Sequence, residues 1–184
     1  LTLPGDAVMI QQPVYYPFSS IIKNNRRKKI NSPLINNNGR YEMDFADIEA
    51  KIRAHHVKLF ILCSPHNPVG RVWTKEELLT LGNLCLKYGV TVISDEIHSD
   101  FVYPGHDHTV FASISEAFAE HSIICTSPSK TFNLAGLQVS NIFIKNEVLR
   151  KRVQAEVFAT GYDELNIFAL AACETAYREG AGWL

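Results

Sequence analysis

Ser122-Ile123-Ile124-Cys125-Thr126-Ser127-Pro128-Ser129-Lys130-Thr131-Phe132-Asn133-Leu134-Ala135-Gly136-Leu137 runs from a short apolar stretch straight into two serine hydroxyls, a lysine and a glycine-containing loop. The first five residues read as a buried strand, which predicts that Lys130 projects from a strand end. A lysine alone at such a place is ordinarily a solvated cation. Two upstream stretches repeat the arrangement. Leu59-Phe60-Ile61-Leu62-Cys63 runs into Ser64-Pro65-His66-Asn67-Pro68-Val69-Gly70, and Val90-Thr91-Val92-Ile93 into Ser94-Asp95-Glu96-Ile97-His98. Three successive strands are thus each expected to end in residues suited to chemistry.

Between and around these strands lie helical patterns, and the alternation predicts an α/β fold, a mainly parallel sheet with helices on both faces. Ala7-Val8-Met9-Ile10 reads as a strand, Pro13-Val14-Tyr15-Tyr16-Pro17 as the loop that leaves it, and residues 18–24 as a helical linker. Asn36-Asn37-Asn38-Gly39 is an expected turn, since asparagine and glycine tolerate positive φ. Asp44 is placed to cap a helix carrying Phe45, Ile48 and Ile52, with Asp47 near the amide donors of its first turn. Thr74-Lys75-Glu76-Glu77 forms a capping box ahead of Leu78, Leu81 and Leu84. Further helices are expected over residues 114–120, 147–158 and 167–178, the last two packing on the sheet and covering it. No internal repeat or low-complexity linker interrupts the chain.

At 184 residues the chain is long enough for one core and short for two full domains. With 46% hydrophobic and 20% charged residues it has ordinary globular composition, and a formal net charge of -1 gives no general attraction to nucleic acid or to an anionic membrane. Arg26-Arg27-Lys28-Lys29 reads as a solvated basic turn. No apolar stretch approaches the roughly 20 residues of a membrane span and no signal-peptide pattern opens the chain, so a cytoplasmic location is the default expectation. Cys63, Cys85, Cys125 and Cys173 are dispersed and read as buried small hydrophobes. His55-His56 and His106-Asp107-His108 lack partners at ligand spacing, so no metal site is expected.

The ordered set Pro65-His66-Asn67-Pro68-Val69-Gly70, Asp95-Glu96-Ile97-His98 and Ser127-Pro128-Ser129-Lys130 resembles the pyridoxal-phosphate enzymes of the aspartate aminotransferase fold, and within them the cystathionine β-lyase-like carbon–sulfur lyases. The resemblance spans essentially the whole chain. It implies that residues 1–184 are part of the large cofactor-binding domain, with an N-terminal segment and a C-terminal small domain lying outside them. The fragment alone would then be inactive, because part of the phosphate site and the arginine for the substrate carboxylate would be missing. It also implies pyridoxal 5'-phosphate as cofactor, an amino-acid substrate and a homodimer with active sites at the subunit interface.

Carried over position by position, the resemblance makes Lys130 the amine that bonds the cofactor and later takes the substrate α-proton. Asp95 would face the pyridine nitrogen and keep it protonated. Asn67 would donate to the phenolic oxygen, and His98 would lie near the cofactor. Tyr15 would stack on its ring, with Tyr16 the competing choice. Ser127 and Ser129 would bind the phosphate. Two positions depart from the aminotransferase pattern: Gln138 stands where an arginine usually pairs with the phosphate, and His98 where a tyrosine is common. These departures, with Val72-Trp73 and the run from His98 to His106, favour the lyase branch over an aminotransferase. The strand-end residues themselves serve both reactions. A non-catalytic nucleotide-binding or interaction module is disfavoured, because no glycine-rich phosphate loop follows a strand.

Overall fold

The computed structural model describes residues 1–162 and 164–184. In chain order the elements are β1 (Ala7–Ile10), α1 (Pro17–Asn24), β2 (Lys28–Asn31), β3 (Ile35–Asn37), β4 (Arg40–Glu42), α2 (Phe45–His55), β5 (Leu59–Cys63), α3 (Lys75–Lys87) and β6 (Thr91–Asp95). There follow α4 (Glu116–Glu120), β7 (Ser122–Thr126), α5 (Pro128–Thr131), β8 (Asn141–Phe143), α6 (Glu147–Ala159) and α7 (Ile167–Glu179). Six strands form one sheet in the order β2-β1-β5-β6-β7-β8, and β3 and β4 make a separate hairpin. Every pairing in the large sheet is parallel except β7 with β8.

The strand side chains divide between two faces because successive residues point to opposite sides of a sheet. Met9, Phe60, Leu62, Val92 and Ile124 pack with Ile48 and Ile52 of α2, Leu78 and Leu81 of α3, and Phe118 of α4. Val8, Ile10, Leu59 and Cys63 face the other way, onto Phe18 and Ile22 of α1. Helices therefore cover both faces. The capping predictions hold in detail: Asp44 Oδ1 accepts from the Asp47 amide at 2.9 Å, and Thr74 and Glu77 form the reciprocal box. Of the turn expected over residues 36–39, Asn38 and Gly39 take positive φ at the tip of the β3–β4 hairpin, while Asn36 and Asn37 belong to β3.

Four expectations need correction. The basic run is only half a turn: Lys28 and Lys29 belong to β2, an edge strand where lysine stays solvated while its backbone pairs with Ala7 and Val8. Lys130 does not stand at a strand end but on α5, a single helical turn started by Pro128 and capped by Ser127. The last two helices form but do not cover the sheet. No residue of α6 is buried, and in α7 only Ala169 is, while Phe158, Ile167 and Phe168 stay exposed. Among the cysteines, Cys63 and Cys85 are buried but Cys125 and Cys173 are half-buried. Strand β8 was not foreseen: its three residues are too few to show a period. Among the described residues, no helix is long and apolar enough to cross a membrane, and no group of histidine, cysteine and carboxylate residues could hold a metal ion.

Candidate active site

The carboxyl ends of β5, β6 and β7 lie side by side. Cys63 is opposite Asp95, and Asp95 is opposite Cys125. The ladder continues past them, with Ser64 N donating to Asp95 O at 2.9 Å and Glu96 N to Cys125 O at 2.8 Å. Neighbouring strands are about 4.8 Å apart, so the loops carrying Asn67, Asp95 and Lys130 leave one edge of the sheet as a row. The crevice beyond the carboxyl ends of parallel strands is the usual ligand position in open α/β sheets. β1 sits next to β5, which adds the loop carrying Tyr15 to that edge.

Asp95 closes β6, with one carboxylate oxygen accepting from Ile97 N at 3.3 Å. Burial raises its pKa, the Ile97 bond and the nearby His98 opposing the rise and Glu96 adding to it. Burial lowers the pKa of His98, Asp95 opposing the shift and Lys130 adding to it. The buried Nδ1 of His98 has no partner among the described residues. Lys130 is exposed, and its ammonium makes no hydrogen bond or ion pair among the described residues. An exposed amine, a half-buried carboxylate and a ring nitrogen without a partner among the described residues, all at one sheet edge, fit a polar aromatic aldehyde cofactor.

The Asn67 loop is fixed by its neighbours. Asn67 N donates to Cys63 Sγ at 3.4 Å, and Asn67 O accepts from Tyr15 N at 3.0 Å. That bond favours Tyr15 over Tyr16 as the aromatic of the site, since Tyr16 is 79% exposed and begins α1. The Tyr15 ring meets Phe18 edge-on with centroids 5.6 Å apart. His66 supplies a second tie that sequence reading passed over. Its ring is buried, Nε2 donates to Pro13 O at 2.9 Å, and it stands edge-on to Trp73 with centroids 5.6 Å apart. Trp73 Nε1 in turn donates to Cys63 O at 2.9 Å.

Burial is the main cause lowering the His66 pKa below its ordinary 6.5, with the Pro13 bond opposing it. The neutral ring is therefore the folded form. The stability it contributes is complete above about pH 6.5 and is lost as pH falls toward the depressed folded value. His66→Gln, which keeps a donor for Pro13, is expected to flatten the fall in Tm between about pH 7 and 5. What remains is the share of His98, whose pKa burial also lowers. An unchanged pH profile would show that His66 does not carry the effect.

Ser127 and Ser129 occupy the turn before Lys130. The Ser127 hydroxyl donates to Val139 O at 2.7 Å, accepts from Ser129 N at 3.1 Å and contacts Ser129 Oγ at 2.6 Å. With its proton on Val139, Ser127 acts as an organiser of α5 and accepts the Ser129 hydroxyl proton, which leaves the Ser129 oxygen its acceptor capacity. Gln138 takes positive φ, and its Oε1 accepts from the Tyr162 hydroxyl at 3.3 Å. Next to the row opens a cavity of about 760 Å³ whose lining includes Asn67, Pro68, His98, Phe101, Tyr103 and His106. Arg71, also on its wall, is committed to Glu77 at 2.6 Å and to Tyr41 O at 2.8 Å.

Glu96, adjacent to Asp95 in sequence, turns the opposite way. It is buried and accepts from Ser94 Oγ at 2.8 Å, Phe111 N at 3.0 Å and His108 Nε2 at 2.9 Å. His108 is thus a partner for a carboxylate in the core. The only sequence cue was two adjacent acids at a strand end, which must diverge because consecutive side chains point to opposite faces.

The chain matches the model of the family "Aminotransferase class I and II" over residues 1–175. It is 51% identical to the cystathionine beta-lyase PatB of Bacillus subtilis, over 100% of this chain and 47% of that protein. Cystalysin from Treponema denticola, whose structure contains a pyridoxal 5'-phosphate cofactor, superposes with a TM-score of 0.96 at 46% identity, over 99% of this chain and 46% of that one. The PLP-bound C-S lyase from Staphylococcus hominis gives a TM-score of 0.91 at 39% identity, over 100% of this chain and 45% of the other. The chain spans about half the length of the curated relatives it matches. With its strand order, its row of strand-end residues and its matched length in agreement, the chain belongs to the class I and II aminotransferase family.

Proposed function

We propose that the chain forms most of the cofactor-binding domain of a pyridoxal-phosphate-dependent carbon–sulfur β-lyase, one that releases a thiol, pyruvate and ammonia from a sulfur amino acid such as cystathionine. The observation that carries this reading is the row of Asn67, Asp95 and Lys130 at the carboxyl ends of three adjacent parallel strands, Asp95 closing β6 and the other two on the segments that leave β5 and β7. When bound there, pyridoxal phosphate would supply an electron sink for the substrate Cα. Lys130, whose amine has no partner among the described residues, would bond the cofactor aldehyde and then accept the α-proton. Asp95 would face the ring nitrogen, where the negative charge of a carboxylate favours the protonated, cationic ring. Asn67 would donate to the phenolic oxygen, His98 would lie near the cofactor, Tyr15 would stack on its ring, and Ser129 with the loop around Ser127 would hold the phosphate. The cavity beside them has room for a substrate side chain. Loss of the α-proton and then of thiolate from Cβ leaves an enamine acid, which water converts to pyruvate and ammonia. The exposed apolar side chains of α6 and α7 are surfaces that the rest of a longer homodimeric enzyme would cover.

The family match also favours a second reading, an aminotransferase that returns the proton to the cofactor side and releases a keto acid. Incubating the whole enzyme with cystathionine and no keto acid separates them. Pyruvate and ammonia in equal amounts support the lyase, and turnover that requires a keto acid acceptor overturns it. Asp95→Asn is expected to weaken cofactor affinity about 10- to 100-fold and to slow α-deuterium exchange, since the amide cannot pair with a ring cation. Exchange at the original rate would remove Asp95 from this role.

A further inference from the structure

α5 is one turn long, too short to hold its own shape, so the position of the Lys130 amine depends on what grips that turn. Ser127 holds its start through Val139. Thr131 holds its end, from two sides. The Thr131 side chain is buried, and its hydroxyl donates to Asp100 Oδ2 at 2.6 Å, in the short range of a bond to a carboxylate. Its carbonyl accepts from Trp183 Nε1 at 2.8 Å. The next residue is seated against the same region. The Phe132 ring stands edge-on to Tyr177 at 5.7 Å, and it lies so near Gly180 that a Cβ there would come within 2.5 Å of Phe132 Cε1. Asp100 belongs to the segment that leaves Asp95 and His98. Its bond to Thr131 therefore ties the turn carrying the amine directly to the loop carrying the carboxylate and the histidine.

We propose that Thr131, through Asp100, is the positioning residue for the Lys130 amine. The inference rests on the reading of Lys130 as the amine that bonds pyridoxal phosphate. The bond to Asp100 holds the turn so that Nζ faces the aldehyde carbon; without it, α5 swings about its Ser127 anchor and the amine meets the aldehyde less often. Cofactor contacts made by Asn67 and Asp95 do not pass through Thr131, and Ser129, though on α5, is bonded to the Ser127 anchor that stays in place, so ring and phosphate binding should persist.

The test uses the whole enzyme stripped of cofactor and two probes. One is the rate at which Lys130 captures pyridoxal phosphate, read by absorbance and by borohydride fixation. The other is the affinity for pyridoxamine phosphate, which has the same ring and phosphate but no aldehyde to bond a lysine. Thr131→Val should slow capture about 10-fold or more while pyridoxamine phosphate affinity stays within about twofold, and Thr131→Ser should restore the rate. Asp100→Ala should slow capture equally, and the double variant no further. Asp100 is exposed, so its variant carries the test alone should Thr131→Val fail to fold. Capture at the original rate in these variants overturns the inference, as does an equal loss of affinity for both ligands. Failure of the unaltered enzyme to capture the cofactor on Lys130 would instead overturn the functional reading.

Discussion

Lys130→Ala in the whole enzyme is expected to lower turnover roughly 10,000-fold or more and to abolish the absorption of the lysine-bound cofactor, while leaving Tm nearly unchanged. The size follows from the two tasks the residue combines, covalent attachment and proton transfer. The small stability effect follows from its exposure and its lack of any hydrogen bond or ion pair among the described residues. A lysine that holds no structure and is solvated has no folding role to lose. Turnover within tenfold of the original would transfer the chemistry to another residue.

The opposite pattern is expected one strand away. Glu96→Ala should lower stability by about 3–5 kcal/mol, because the change strands His108 Nε2, the Ser94 hydroxyl and the Phe111 amide in the core without their acceptor. Glu96→Gln should cost less. Its Oε1 can still accept from Ser94 and Phe111, and its side-chain NH2 can donate to His108 Nε2 when the imidazole carries its proton on Nδ1. Urea unfolding of the three proteins measures the difference. Equal stability of the alanine variant and the original would mean that the buried cluster is not a structural anchor. Asp95 and Glu96 are adjacent in sequence, yet one variant is expected to lose cofactor affinity and the other the fold.

That division shows what was legible in the sequence. The strands over Leu59–Cys63 and Ser122–Thr126, the Asp44 and Thr74 caps and the Asn38-Gly39 turn depend on local patterns, and local patterns placed them correctly. The row of strand ends was legible because each strand announces itself by an apolar run and its end by a change to polar residues. The ties that set the site were not. His66 reaches Pro13 across 53 residues of sequence, and Thr131 reaches Asp100 across 31, so no spacing rule connects either pair. The helices α6 and α7 misled for a related reason. Amphipathic spacing says that a face wants covering without saying what covers it, and their apolar side chains stay exposed here. Lys130 was placed one element too early because a single turn begun by proline is too short to register as a helix.

Reducing the cofactor-loaded enzyme with borohydride, digesting it and locating the phosphopyridoxyl group by mass spectrometry identifies the lysine that bonds the cofactor. The strand-end row predicts that the label sits on Lys130, in stoichiometric amount and on no other lysine. A label on a different lysine, or a protein that takes up no label after incubation with pyridoxal phosphate, would contradict the account.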